Sequence, residues 1–355
     1  MDSAIMSPTV LLFTFSLTAM MLLALRPVAT LVGLVDLPGG RKTHSLPTPM
    51  IGGLGIYLGT LAICMLSPVV MADYQFLLAI AGFVLLVGIL DDLFEIRASL
   101  RIACHAAAAL AMATLAGVKL DSLGSLLYLG PVELGLLAVP VTMFATVGVI
   151  NAVNMSDGLD GLSGGLVVIA LVFLSIAALV AGHSAMLSFN QILIVAVLAF
   201  LAFNFRMLWK KNALIYLGDA GSTLLGFILA WLVIAATQGT DAFIAPVYAL
   251  WFLAVPLMDT VSLMIKRPLR GLSPFTPGRD HLHHRLLNAG FTPRQTVLGM
   301  HAAAVLFGSI GLSGHIAGVR EGTMFLLFMS LFAIYLVATR HPVALANTHH
   351  TQPRR

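Results

Sequence analysis

Apolar runs long enough to cross a bilayer follow one another along almost the entire chain, and polar residues gather in the short stretches between them. A window of about 19 residues picks out eleven runs: 7–25, 51–71, 75–91, 100–117, 134–152, 163–181, 190–205, 221–237, 243–264, 297–317 and 322–339. A backbone surrounded by lipid must satisfy its own hydrogen bonds, so runs of this length predict helices. No internal repeat at a fixed period accompanies them.

Composition agrees. Of the 355 residues, 59% are apolar and 10% charged, against about 25% charged in soluble domains. So few charges cannot cover a water-facing surface, which excludes a soluble two-domain protein. The fold class is an all-α polytopic membrane protein with about 11 transmembrane helices. The first run has no basic residue before it and no small-x-small cleavage site before Arg26, so it reads as a retained span. Cys64 and Cys104 both lie in apolar runs, where a disulfide framework or zinc site is not expected.

Charge sets the orientation. Of the 19 Lys and Arg residues, all but Lys119 and Arg320 fall in or beside loops on one side. The positive-inside rule then puts the N-terminus outside and the C-terminus in the cytoplasm, as an odd span count requires. Residues 1–340 form a single transmembrane domain, and 341–355 form a polar cytoplasmic tail. Segment 119–134 is an external loop in which a small hairpin fits.

The ionisable residues are concentrated on the cytoplasmic side. A bilayer tolerates no charge cheaply, so such residues beside spans are functional candidates. The first inner loop, 35–53, carries Arg41, Lys42 and His44, which could bind phosphate or serve as ordinary inside charge. Asp91 and Asp92 end a span. Neighbours on a helix point about 100° apart, so the pair can address different partners, and like charges this close call for a cation or a proton. In NAVNMSDGLDGLSGG (151–165), Asp157 and Asp160 share a helical face beside Asn151 and Asn154, with glycines that permit close backbone approach. Calcium-loop spacing is not met. Asp219 opens a span in YLGDAGST. The N–H groups of Gly218, Gly221 and Ser222 there could receive an anion, or Asp219 could be a simple N-cap. The last inner loop, 266–295, sets Lys266, Arg267, Arg270, Arg279, Arg285 and Arg294 against Asp280, around His281, His283 and His284. Such a loop attracts diphosphate. Asp259 is a secondary candidate.

Taken together, RKTHSLPTPMIGG, GILDDLFEIR, NAVNMSDGLDGL, YLGDAGST and SPFTPGRDHLHHRLL resemble the ordered motifs of the polyprenyl-phosphate N-acetylhexosamine-1-phosphate transferases, glycosyltransferase family 4. The resemblance covers about residues 35 to 290. It implies Mg2+-dependent transfer of N-acetylglucosamine-1-phosphate, or a related N-acetylhexosamine-1-phosphate, from a UDP-sugar to undecaprenyl phosphate. UMP is released, and a cell-surface polysaccharide of O-antigen, common-antigen or teichoic acid type is begun. Mn2+ is an alternative metal. By the same resemblance Asp91 and Asp92 are catalytic, and Asp219 and Asp92 hold the metal. Lys42, His44, Asn154, Asp157, Asp160, Asn204, Arg279, His281, His283, His284 and Arg285 bind substrate.

Leu282 interrupts the histidine run, whereas the muramyl-pentapeptide branch carries three consecutive histidines. This likens the chain to the N-acetylglucosamine branch and leaves the muramyl branch as the alternative. The expected setting is the bacterial cytoplasmic (inner) membrane, with the lipid bilayer and the two substrates as partners and no nucleic acid. A homodimer is open. Direct attack by the lipid phosphate and a covalent aspartyl intermediate both remain as mechanisms. An ion-coupled transporter is the distant alternative. It would place acids near the midplane in two related halves, whereas here they stand at span ends.

Overall fold

The computed structural model describes residues 5–37, 47–205, 213–273, 278 and 280–340. These residues form helices α1 (Pro8–Val32), α2 (Gly52–Leu66), α3 (Pro68–Phe94), α4 (Ala98–Leu115), α5 (Ala138–Met155), α6 (Leu162–Ala181) and α7 (Ser184–Asn204). They continue with α8 (Gly218–Thr237), α9 (Pro246–Phe252), α10 (Ala254–Lys266), α11 (Leu282–Asn288), α12 (Pro293–Ile316) and α13 (Glu321–Ala338). Two short strands, β1 (Val35–Asp36) and β2 (Thr48–Pro49), pair antiparallel beside them.

Among the described residues, nine helices are long and apolar enough to cross a membrane. The pair α9 and α10 adds a bent span, and α2 is a shorter apolar helix. The chain is therefore a polytopic helical membrane protein. Several expected boundaries differ from those observed: α1 runs on to Val32 and not 25, and α2 stops at Leu66 and not 71. The third span starts at Pro68 and not near 75, because proline at the first helical position loses no hydrogen bond. The single run expected over 243–264 is two helices meeting at 90° around Leu253. Pro256 has no N–H to continue the ladder from α9, and its ring would clash with the carbonyl of Phe252.

α8 is the axis of the bundle. Every residue from Ala220 to Ile234 is buried, which explains why the helix is apolar on all sides. It packs chiefly on α3 and α5. Between helices in lipid, small residues allow close backbone approach, and both contacts at the start of α8 are of this kind. A side chain at Gly88 of α3 would strike the backbone of Ala220, and one at Gly53 of α2 would strike that of Gly221. The end of α3 is thereby pressed against the beginning of α8, which sets where Asp91, Asp92 and Asp219 can meet.

Candidate active site

The meeting of α3 and α8 is closed by a carboxylate. Asp92 Oδ1 accepts the N–H of Asp219 (2.9 Å) and Oδ2 that of Ala220 (3.1 Å). The first turn of a helix leaves N–H groups without intrahelical partners, and here the cap comes from another helix. One expectation for this turn is corrected: Asp219 is not its own helix's cap, that position being Leu217. The N–H groups that Asp92 takes are those of Asp219 and Ala220, not the Gly218, Gly221 and Ser222 groups expected to face an anion. The side chain of Asp219 is left 41% exposed at the end of the bundle.

Arg101, in the first turn of α4, connects two of the acids. Its Nη1 donates to Asp91 Oδ2 and stands 3.3 Å from Asp219 Oδ2. Asp91 is 5% exposed and Arg101 is its ion-pair partner. From α5, Asn154 Nδ2 donates to Asp219 Oδ1 (2.6 Å) and to Ser222 Oγ (2.9 Å). Asp219 therefore takes a cation on one oxygen and an amide on the other.

The turn after α5 brings the next acid. Asp157 is half-buried. Burial and the charges of Asp219, Asp160 and Asp92 push its carboxyl well above the ordinary value of 3.8. The following residue, Gly158, is where α11 arrives: a side chain there would occupy the space of the His283 imidazole. His283 is 2% exposed, and neither of its ring nitrogens has a hydrogen-bond partner among the described residues. Its ring lies parallel to that of His281, with centroids 5.8 Å apart, and tilts against His284 at 4.2 Å. Burial, with His284 and His281 alongside, lowers its pKa from 6.5 to about 3.

Asp259, on α10, holds this histidine helix in place. Its Oδ2 lies 2.9 Å from His281 Nδ1, and its Oδ1 accepts both the N–H of Leu282 (2.9 Å) and the hydroxyl of Tyr335 (3.0 Å) on α13. Beside it Arg267 grips Asp280 through Nη2 (2.8 Å) and Nε (3.3 Å). Burial opposes ionisation of Asp280, but the bonds and charge of Arg267 outweigh it and hold the carboxyl below its ordinary value.

The expected residues thus converge at one end of the bundle: Asp91, Asp92, Asn154, Asp157, Asp219 and His283 stand in a connected cluster. Asp160 adds charge to Asp157, and His284 packs on His283. Asn204 is different. Its Oδ1 accepts the N–H of Gly161 (2.6 Å) and its Nδ2 donates to the carbonyl of Ile215 (2.9 Å). It fixes Gly161, which has a left-handed φ of 79° at the start of α6. Both ends of its amide are engaged with the backbone. Lys42, His44 and Arg279 lie outside the described residues. Arg101 carried no expected role, and Ser222 was expected only through its backbone N–H, not through the hydroxyl that Asn154 meets. Arg101 could have been found only as a cation one turn into the helix after the paired aspartates.

A cavity of about 600 Å³ opens beside the cluster. It is lined by α5, the far half of α8, the bent α9–α10 pair and the start of α4, almost wholly by apolar atoms. Ile102, Asn151 and Met155 bring its near end next to Arg101 and Asn154.

The model of glycosyl transferase family 4 matches residues 74–237, the stretch that holds Asp91, Asp92, Arg101, Asn154, Asp157 and Asp219. The chain is also 37% identical over 330 residues to an undecaprenyl-phosphate alpha-N-acetylglucosaminyl 1-phosphate transferase of Yersinia pestis, covering 92% of this chain and 90% of that protein. The chain belongs to glycosyl transferase family 4. A transferase of the same name from Escherichia coli K12 is 38% identical over 333 residues, and one from Haemophilus influenzae 37% over 330. Each covers 92% of this chain, with 89% and 92% of the relative matched. In this family 4 enzyme, five segments far apart in sequence build one polar end on an apolar bundle.

Proposed function

We propose that this enzyme transfers N-acetylglucosamine-1-phosphate from a UDP-sugar to undecaprenyl phosphate at the cytoplasmic face of a bacterial inner membrane, within an eleven-span bundle whose N-terminus is outside. One observation carries the reading: the acid cluster around Asp219 is joined through Arg101 and Asn154 to α4 and α5, whose neighbouring residues Ile102, Asn151 and Met155 line one end of an apolar cavity between helices. A lipid acceptor needs both, a hydrocarbon path for its chain and a polar end for its phosphate. The names of the relatives favour N-acetylglucosamine as the sugar and undecaprenyl phosphate as the acceptor.

Among the described residues, no three His, Cys, Asp or Glu side chains make a preformed metal cage. Mg2+ does not require one, since it takes one or two carboxylates and fills its shell with waters and substrate phosphates. Asp91 and Asp219 share the guanidinium of Arg101, with the carboxyls of Asp92 and Asp157 close to Asp219, and among the described residues this surplus of acids fits a divalent cation. Asp219 would hold it, its side chain being 41% exposed against 4% for Asp91, with Asp92 and Asp157 as the neighbouring acids. When bound, the ion neutralises charge on the transferring phosphoryl group.

The chain's own residues supply the rest. A lipid phosphate has a second pKa near 6 and is largely dianionic at pH 7, so orientation matters more than deprotonation. Asp91 is buried behind Arg101 and acts by aiming that guanidinium. An acceptor oxygen bonds to the sugar-side phosphorus, the bond from that phosphorus to the UMP oxygen breaks, and UMP leaves with the electron pair. His283, held neutral, is available as a hydrogen-bond donor to a donor phosphate. Incubation with polyprenyl phosphate, Mg2+ and a panel of UDP-sugars, with lipid products weighed by mass spectrometry, tests this. Lipid-linked N-acetylglucosamine-1-phosphate with equimolar UMP is expected. UMP released without an acceptor, or no lipid product from any UDP-sugar, would overturn it.

A further inference from the structure

The apolar cavity has a second end, and a built structure closes it. Segment 118–134 folds back on itself: Leu123 N–H donates to Val132 O (2.9 Å), and Val132 N–H to Gly124 O (3.0 Å). Gln238, just past α8, clamps this hairpin. Its Oε1 accepts the N–H groups of Asp121 (3.0 Å) and Ser122 (3.1 Å), and its Nε2 donates to Ser122 O (3.0 Å). On the other flank Glu321 Oε2 accepts the N–H of Ser125 (2.9 Å), and the hydroxyls of Tyr128 and Thr323 pair. A loop that merely joined α4 to α5 would need none of these ties. Three of its leucines, Leu120, Leu123 and Leu126, line the cavity beside Thr237 and Val247.

Dimensions follow from the lining. Val141 and Met155 of α5 mark its length, about 20 Å at 1.5 Å per residue. A short prenyl chain anchored at the acid cluster ends before the hairpin; a long one meets it and must leave sideways into lipid.

We infer that the hairpin around Leu120, Leu123 and Leu126 is a chain-length specificity element that contacts only acceptors long enough to reach it. This rests on the reading that the acceptor chain lies in the cavity. The test uses the full-length enzyme in lipid vesicles and a series of polyprenyl phosphates from farnesyl phosphate upward. KM is measured for those turned over, and the inhibition constant for those not. Leu123→Ala with Leu126→Ala should coincide with the parent at farnesyl phosphate and weaken undecaprenyl phosphate about tenfold. Gln238→Ala, which loosens the clamp without touching the cavity, should bend the length curve in the same direction. Curves that coincide at every length, or shift equally at every length in both variants, overturn the inference. Gly148 provides the control. It lines the cavity midway, and a side chain there meets nothing within 4 Å. Gly148→Phe should therefore weaken every chain that passes the midpoint. If it weakens them and the hairpin variants do not, only the hairpin inference falls. If it changes no length at all, the lipid path itself is wrong.

Discussion

His283 occupies the space that any side chain on Gly158 would need. The histidine helix is thereby seated against the turn that carries Asp157, and the seat exists because residue 158 has no Cβ. Gly158→Ala should push the imidazole away without disturbing a helix, since Gly158 lies between α5 and α6. The expected result is a rise of about tenfold in KM for the UDP-sugar, with the unfolding midpoint changed little. An unchanged KM would show that the contact does not serve donor binding.

Among the described residues, Arg101 is the cation that Asp91 and Asp219 share. Arg101→Ala leaves the Asp91 carboxylate, 4% exposed, without its ion-pair partner. Removing one member of a buried pair costs about 3 kcal/mol, which thermal unfolding in detergent would read. Adding Asp91→Asn to that variant removes the orphaned charge, so part of the stability should return. Activity should not, because the guanidinium beside Asp219 is still missing. Recovery of both would make Arg101 purely structural.

The pH dependence of stability has a sign set by His283. Its pKa is lowered from 6.5 to about 3 in the folded protein. The unfolded chain therefore binds a proton below pH 6.5 that the folded one refuses. The contribution is fully present above pH 6.5 and is lost as pH falls from there toward 3. The slope for one group is about 1.4 kcal/mol per pH unit, which gives about 2 kcal/mol at pH 5. Comparing unfolding midpoints at pH 7.5 and pH 5 should show a larger drop for the parent than for His283→Gln.

Asp157 acts in the opposite direction. Its carboxyl keeps its proton to higher pH than usual because of burial and the neighbouring acids. A divalent cation among those acids favours the ionised form, so raising Mg2+ should move the acid limb of the kcat/KM profile to lower pH. In Asp219→Asn the activity should fall on the order of a hundredfold, and the Mg2+-dependent shift should vanish. The unfolding midpoint should not drop, since one of several crowded charges is gone. An unaltered shift in that variant would remove Asp219 from the metal site.

Asn204 separates a structural role from a binding one. Its amide ties Gly161 to Ile215, so Asn204→Ala strands two backbone groups, at about 1–3 kcal/mol each when buried. Protein that stays folded at low temperature should keep its KM for both substrates while unfolding earlier. A KM change at unaltered stability would favour the substrate role expected from the motif.

Much of the bundle was legible because lipid imposes a simple rule on backbone and charge. Runs without charges became helices, and Asp91, Asp92, Asp157 and Asp219 stood at span ends, so they gather at one end of the bundle. Their partners were less visible. Arg101 looks like any basic residue flanking a span, and only the packing of α3, α4 and α8 brings it between two carboxylates. The pairing of Asp92 with the N–H of Asp219 spans 127 residues, far beyond any local periodicity. The bend at Leu253 was missed although Pro256 announced it, because a hydropathy window averages over a proline. Asp259 seemed minor for the opposite reason: its partners come from α11 and α13, elements with no sequence pattern in common.

The bond from Tyr335 to Asp259 gives α13, the last of the described helices, a hold on the histidine helix α11. Asp259 is shared between that hydroxyl and the start of the histidine helix, so outward displacement of α13 would loosen His281 without anything touching a substrate. A small molecule lodged from the lipid side between α10 and α13 would therefore inhibit non-competitively with the nucleotide sugar.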